Sequence, residues 1–444
     1  MIKLNSNKTL KFATQHKKII LISVIAVFGF ALLAFSSAQG FFISIEPEQD
    51  NKSSEISVIT DSSASNGQII QFGNSSKNKN SYATLAVYPE YHGKNPSSST
   101  DPERSEPFAP SSIAWHELER FENWLNRDVN YVMQFGNPNP GSWTNMENNL
   151  YTIGNNLRDM PLNNRVPIVC IPLTIGTTPL QDVIDGKHDS VFRNIAISYK
   201  NKGLDNTIWR LGWENNTSSW AWSSKDKSYE SNRTTKYAQA WSRIRDIMYG
   251  QSSNFKFSYD FEYYALASGT GTDGWPKFSG VSTGTFAYRA YPSGSQPDYI
   301  GVDIYDVIHK DSQGGYKRYG GSSWDDNRKL VWDNHYSQAM NAASTFAESK
   351  GKPLVIPEWA IGRGDNYSSP QDNVGGDNQY FMTKMLDFID DSENNVAWHS
   401  YFNRYDKTTE GTFKINPLYS SSNTLGQSWA TNASTIFKSR VGNK

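Results

Sequence analysis

The sequence holds one cysteine, Cys170, in 444 residues. That excludes an intramolecular disulfide and a cysteine-based zinc site, so the fold must rest on burial and hydrogen bonding. The seven histidines include no HExxH or HxH spacing; His116-Glu117 lacks a second His four residues after the first, which argues against a zincin. Walker loops are missing, and Cys170 falls within the apolar run VPIVCIPLT, an inert core position rather than a nucleophile. Neither sign of charge is in excess, with 43 Lys plus Arg against 44 Asp plus Glu. Such a balance offers no field for a phosphate backbone, so no nucleic acid partner is expected. Nothing points to a metal, an organic cofactor or an obligate protein partner.

What is abundant is aromatic. Phe, Trp and Tyr make up 14% of the chain, with 14 Trp among them, yet the mean hydropathy is -0.63. A polar, nearly neutral chain loaded with rings therefore has to find uses for them beyond its core.

Long hydrophobic runs are also scarce, and one stands at the start. Residues 1–18 carry Lys3, Lys8, Lys11, Lys17 and Lys18 and no acid, and residues 19–38 are apolar or small without a charge. A run of about 20 such residues can cross a bilayer. Lysines before it favour a cytoplasmic tail with everything after Ala38 outside the cell. Ser36-Ser37-Ala38 also has the small residues of a cleavage site. The expectation is a basic tail over 1–18, a transmembrane anchor or signal peptide over 19–38, and a disordered Ser/Asn/Gln-rich linker over 39–80. The barrel would then stand at the cell surface, membrane-anchored, or be secreted if the chain is cut after Ala38.

From Tyr82 onward, eight short β-branched or aromatic runs alternate with helix-period segments. The runs begin at Ala83, Val129, Val166, Asn206, Phe255, Pro297, Pro353 and Asn395, at intervals of 37 to 56 residues. Helical periodicity marks Leu118, Phe121 and Leu125, then Tyr237, Trp241, Ile244 and Met248, then Phe381, Met385, Leu386 and Ile389; Ser428 to Ser439 would form a closing helix. Eight strand–helix units and no Gly-rich turn after the first strand predict an α/β fold, a (β/α)8 barrel over residues 81–440.

In such a barrel the chemistry sits where strands end. Glu214 ends the fourth run, WRLGWE, and Glu358 ends the seventh, PLVIPE. Carboxyl groups facing one another from strands four and seven can flank one bond of a substrate, as glycoside hydrolysis requires. Period-two alternation places Arg210, Gly212 and Glu214 on one face, with Arg210 able to charge-balance a carboxylate. After Glu214 come Asn216, Trp220 and Trp222, amide groups for hydroxyls and indole faces for sugar rings. Asp303 and Tyr305 share a face of the sixth strand, with Tyr305 in reach of Glu358, and Trp398 on the eighth strand could floor a sugar subsite. Asp260 and Glu262 on the fifth strand read as peripheral.

These residues carry a resemblance. WRLGWENNTSSWAW, residues 209–222, resembles the acid/base segment of glycoside hydrolase family 26, which includes β-mannanases and some enzymes acting on β-glucans or β-xylans. DYIGVDIYD, residues 298–306, is similar to its sixth strand, and KPLVIPEW, residues 352–359, to its nucleophile strand. The resemblance departs at Trp213, where many members carry His. It implies a retaining endo-type β-glycosidase of extracellular polysaccharide. Glu214 would be the acid/base and Glu358 the nucleophile, with Arg210, Trp213, Asn216, Trp220, Trp222, Asp303, Tyr305, Trp359 and Trp398 around the substrate. The rival readings are a barrel that binds carbohydrate without turnover and a lysozyme-type cell-wall hydrolase.

Overall fold

The computed structural model describes residues 56–60, 68–72, 83–89, 115–160, 165–270, 276–278, 284–306, 324–362, 375–404, 413–417, 428 and 430–444. The expected tail over 1–18 and the apolar segment over 19–38 lie outside these residues. Among the described residues no helix is long and apolar enough to cross a membrane. The chain divides into two units, Met1–Asn78 and Lys79–Lys444.

In the first unit, Ile56–Thr60 and Gln68–Phe72 pair antiparallel, with Ile56 opposite Phe72 and Thr60 opposite Gln68. This falls within the stretch expected to be a disordered linker. Its sequence reason is plain afterwards: ISVIT and QIIQF are short runs rich in β-branched residues.

The second unit is a closed barrel of eight parallel strands. In chain order they are β1 (Thr84–Tyr88), β2 (Tyr131–Phe135), β3 (Val166–Ile171), β4 (Ile208–Leu211), β5 (Lys256–Glu262), β6 (Tyr299–Asp306), β7 (Leu354–Ile361) and β8 (Val396–Phe402). All eight coincide with the runs read from the sequence. Each pairs with its sequence neighbours, and β8 closes onto β1 from Trp398 opposite Thr84 to Phe402 opposite Tyr88.

Outward residues of the strands pack on helices. On β5, Phe257, Tyr259 and Phe261 meet Trp241, Tyr237 and Phe346, while Ser258, Asp260 and Glu262 take the inward period. The helices α1 (His116–Leu125), α5 (Arg233–Tyr249) and α9 (Gln379–Asp390) match the predicted periodic segments. Between α1 and α5 run α2 (Trp143–Arg158), α3 (Leu180–Ile184) and α4 (Asp189–Asn201). Before α9 come the short α6 (Phe286–Arg289), α7 (Trp324–Val331) and α8 (Ser337–Ser349). Capping fixes several starts: Ser142 Oγ accepts from Asn145 N at α2 and Asn378 Oδ1 from Phe381 N at α9. The closing helix α10 (Thr431–Val441) brings Phe437 against Phe121, Trp359 and Tyr401.

Two local irregularities shape the site. Between its pairings with β6 and with β8, β7 carries one extra residue, since Gly301 to Ile304 faces Val355 to Trp359 and His399 to Tyr401 faces Ile356 to Trp359. This bulge contains Pro357, which cannot serve a regular ladder, and it re-aims Glu358. The second lies after β4, which ends at Leu211 and not at Glu214.

Candidate active site

Glu214 does not reach the mouth by strand alternation. Gly212 has φ 59 and Glu214 itself φ 47, so the chain leaves β4 through a left-handed turn. A Cβ at Gly212 would stand 2.7 Å from Leu173 Cγ, so glycine is required there. A left-handed non-glycine costs about 1–2 kcal/mol and persists only where neighbours hold it. Here the neighbours are visible. Asn215 donates to the Asp260 carbonyl through Nδ2 at 2.8 Å, and Trp220 Nε1 donates to Glu214 Oε2 at 3.0 Å.

Beneath the mouth, Arg210 is fully buried and serves three carboxylates. Its Nε donates to Asp260 Oδ2 at 3.0 Å, Nη2 to Asp303 Oδ2 at 2.7 Å and Nη1 to Glu358 Oε1 at 2.7 Å. It was expected to charge-balance a carboxylate, and it does so for these three, Glu358 of the seventh strand among them. Burial opposes the guanidinium charge, but Asp303, Asp260 and Glu358 outweigh it and keep Arg210 protonated. Close packing makes room for this network: a Cβ at Gly301 would fall 1.8 Å from Asp260 Oδ1.

The second oxygen of Glu358 accepts from the Tyr305 hydroxyl at 2.5 Å, the contact anticipated for Tyr305. Burial first, then the Glu358 charge, raises the Tyr305 pKa well above that of a free phenol, so it stays a neutral donor. Asp303 is also buried, and burial pushes its carboxyl well up against the pull of Arg210. Oxygen atoms of Glu214, Asp303 and Glu358 all lie within 4.8 Å of one another. That spacing would suit a cation, but Arg210 already bonds two of the three and supplies the positive charge.

Several residues expected at the substrate are elsewhere. Trp222 is fully buried, its Nε1 donating to the Trp213 carbonyl at 2.7 Å. Trp213 is buried too, its ring 4.3 Å from that of Trp222. Both serve as packing that carries Trp220, whose ring stacks on Trp222 at 5.2 Å and 9° and remains half-buried. Trp359 faces the helices because it follows the inward Glu358; its Nε1 donates to His399 Nδ1 at 3.1 Å. Trp398 lies level with Thr84, at the start of β1, and near Tyr131 and Tyr299, which open β2 and β6. It plugs the amino-terminal end of the barrel, opposite the mouth, and cannot floor a subsite. Asn216 is buried and bonds Glu262, and Asp303 and Arg210 act through Glu358 instead of presenting a surface.

The rings that do line the mouth went unremarked in the sequence. Tyr88, Phe135 and Phe402 end β1, β2 and β8, with centroids 4.9 Å apart for Tyr88 and Phe135 and 5.0 Å for Tyr88 and Phe402. Tyr305 and Phe413 extend this group, and Phe135 joins it to Trp213 at 5.6 Å. An aromatic rim thus runs from beside Glu358 to beside Glu214. The available signal was an aromatic residue in the last position of three strands.

No protein-family model and no curated protein matches the chain. Among solved structures, a Cellulomonas fimi endo-beta-1,4-mannanase double mutant is similar at 16% identity and TM-score 0.48, over 81% of this chain and 70% of that one. GH26C from Muricauda sp. is similar at 13% identity and TM-score 0.46, over 78% and 84% of the two chains. Thermotoga maritima Cel5A, solved with mannotriose, is similar at 8% identity and TM-score 0.44, over 81% and 98%. Likeness of this degree transfers no function to the chain, whose eight-stranded parallel barrel is established by its own strand pairing.

Proposed function

We propose that the barrel is a retaining β-glycoside hydrolase of the family 26 type acting on an extracellular polysaccharide. One observation carries the reading: Glu214 and Glu358 bring carboxylate oxygens within 4.8 Å of each other at the carboxyl ends of the strands. Each is held by its own donors, Glu214 by Trp220 and Glu358 by Arg210 and Tyr305. So short a separation supports retention, because an inverting pair stands about 6.5–9.5 Å apart to admit water.

In this mechanism Glu358 attacks the anomeric carbon while Glu214 protonates the departing glycosidic oxygen. Water then cleaves the glycosyl ester, losing its proton to Glu214 and releasing Glu358 as carboxylate. Two bonds, from Arg210 and Tyr305, hold both oxygens of Glu358 and aim the carboxylate. The aromatic rim suits the apolar faces of sugar rings. The basic start and apolar run of the chain favour an enzyme acting outside the cell, tethered or secreted.

The test is a reducing-sugar assay of the protein on mannan, xylan, mixed-linkage glucan and chitin-like polymers, repeated with Glu358→Gln. Hydrolysis lost in the variant with glycan binding kept supports the reading. No hydrolysis of any polymer by the unaltered protein, with binding present, would replace it by the non-catalytic binder.

A further inference from the structure

The regular pairing of β4 with β5 stops at Arg210 opposite Ser258, short of Glu214. Beyond that point two asparagine side chains take over from the backbone ladder. Asn215 Nδ2 donates to the Asp260 carbonyl at 2.8 Å, and its Oδ1 accepts from Ser224 Oγ at 3.0 Å. Asn216 makes a reciprocal pair with the end of β5: its Nδ2 donates to Glu262 Oε2 at 3.1 Å, and its Oδ1 accepts from Glu262 N at 2.9 Å. Tyr264 N also donates to Glu262 Oε2, at 3.3 Å, so the acceptor offered to Asn216 is itself held. Both asparagines are buried, where a lost bond leaves its partner unsatisfied.

These contacts fall on the two residues directly after Glu214, whose φ of 47 is a conformation that a non-glycine keeps only when its surroundings hold it. Thr217 N donates to the Glu214 carbonyl at 2.8 Å, and Trp220 Nε1 bonds the Glu214 carboxylate. Both donors belong to the same loop as Glu214 and would move with it. The bonds of Asn215 and Asn216 are different in kind, because they join that loop to β5.

We infer that Asn216 and Glu262 are positioning residues for the acid, and that their reciprocal pair keeps the Glu214 carboxyl in hydrogen-bond reach of the departing glycosidic oxygen. The inference rests on Glu214 being the acid of a glycosidase. Proton transfer needs that reach. Loosening the joint therefore slows the departure of an alkoxide, which must be protonated, and spares a leaving group that departs as a stable anion.

The experiment measures kcat/KM of the full chain, Asn216→Ser, Glu262→Ala and Glu262→Gln on two substrates. One is the polymer the protein hydrolyses; the other is a dinitrophenyl glycoside of an oligosaccharide cut from it, whose phenolate leaves without a proton. Asn216→Ser and Glu262→Ala should lose about ten- to hundredfold on the polymer and little on the dinitrophenyl glycoside, the pattern that Glu214→Ala should show more strongly. Both rates come from one preparation, so a smaller folded fraction lowers them alike and leaves their ratio unchanged. Glu262→Gln, which restores an acceptor for Asn216, should regain most of what Glu262→Ala loses. Equal losses on the two substrates, or no recovery with Gln, in a protein whose hydrolysis depends on Glu358 would overturn the positioning role alone. No hydrolysis of either substrate by the unaltered protein would overturn the glycosidase reading and this role with it.

Discussion

Arg210 Nη1 lies 2.7 Å from Glu358 Oε1, and that contact ties β4 to β7 through the barrel interior. The same guanidinium reaches β5 at Asp260 and β6 at Asp303, so four strands meet on one side chain. A lysine could not replace this, because its single ammonium lacks the planar fork that serves three acceptors in three directions. Tyr305 completes the hold on Glu358 from β6, and the bulge in β7 delivers that carboxylate to both donors.

Removing Arg210 should therefore damage stability and activity together. Arg210→Met leaves Asp260, Asp303 and Glu358 buried without their counter-charge, and breaking a buried pair costs about 3–5 kcal/mol. The midpoint of guanidinium unfolding should fall accordingly, with Arg210→Lys in between. An unchanged midpoint would contradict the network.

Trp220 offers a gentler cut. Trp220→Phe keeps a ring on Trp222 but deletes the Nε1 donor to Glu214. A hydrogen bond to a charged group contributes about 1.5–3 kcal/mol. We expect kcat/KM to drop roughly ten- to hundredfold, with the unfolding midpoint nearly unmoved because the residue is half exposed. An equal loss of stability would make Trp220 a packing residue instead.

The buried tryptophans should behave in the opposite way. Trp222→Ala or Trp359→Ala empties a fully buried site, which costs about 3–5 kcal/mol for an aromatic. Glycan affinity of the remaining folded protein should not change in Trp359→Ala, since its ring faces the helices and His399. Calorimetric titration with an oligosaccharide against thermal unfolding separates the two effects.

The contrast among these tryptophans explains what was legible in the sequence. Strand runs such as VPIVCI and YIGVDIYD announce themselves by composition and spacing, and all eight were placed. Glu214 and Glu358 stood out because each closes an apolar run. Facing was harder. Alternation would have put Glu214 on the strand, whereas Gly212 turns the chain first. It also could not foresee the extra residue in β7, nor tell that Trp398 enters near the start of its strand, at the wrong end of the barrel. Which tryptophan stays at the surface is decided by packing between segments, so Trp220 and Trp222, two residues apart, looked alike. Glu262 was passed over as peripheral because its partner Asn216 lies 46 residues away.

A last prediction concerns acid stability. His399 is buried behind β8 and accepts from Trp359 Nε1 at Nδ1, which fixes its proton on Nε2. Burial holds its pKa down to about 3, far below an unfolded histidine near 6.5. Between those values the unfolded chain binds the proton and the folded one does not, so stability is present above about 6.5 and is lost as pH falls toward 3. Asp306 works against this. Burial raises its carboxyl to about 6 from an ordinary 3.8, so its contribution is present below about 4 and is lost as pH rises through 6. The His399 slope should partly cancel that of Asp306 between pH 4 and 6 in the unaltered protein, while the raised carboxyls of Asp303 and Glu262 add to the decline with rising pH. Replacing His399 by Gln removes the opposing slope, leaving stability that declines as pH rises over that range. Guanidinium unfolding at half-unit pH steps reads this directly, and parallel curves for the two proteins would mean that His399 is not buried in its neutral form.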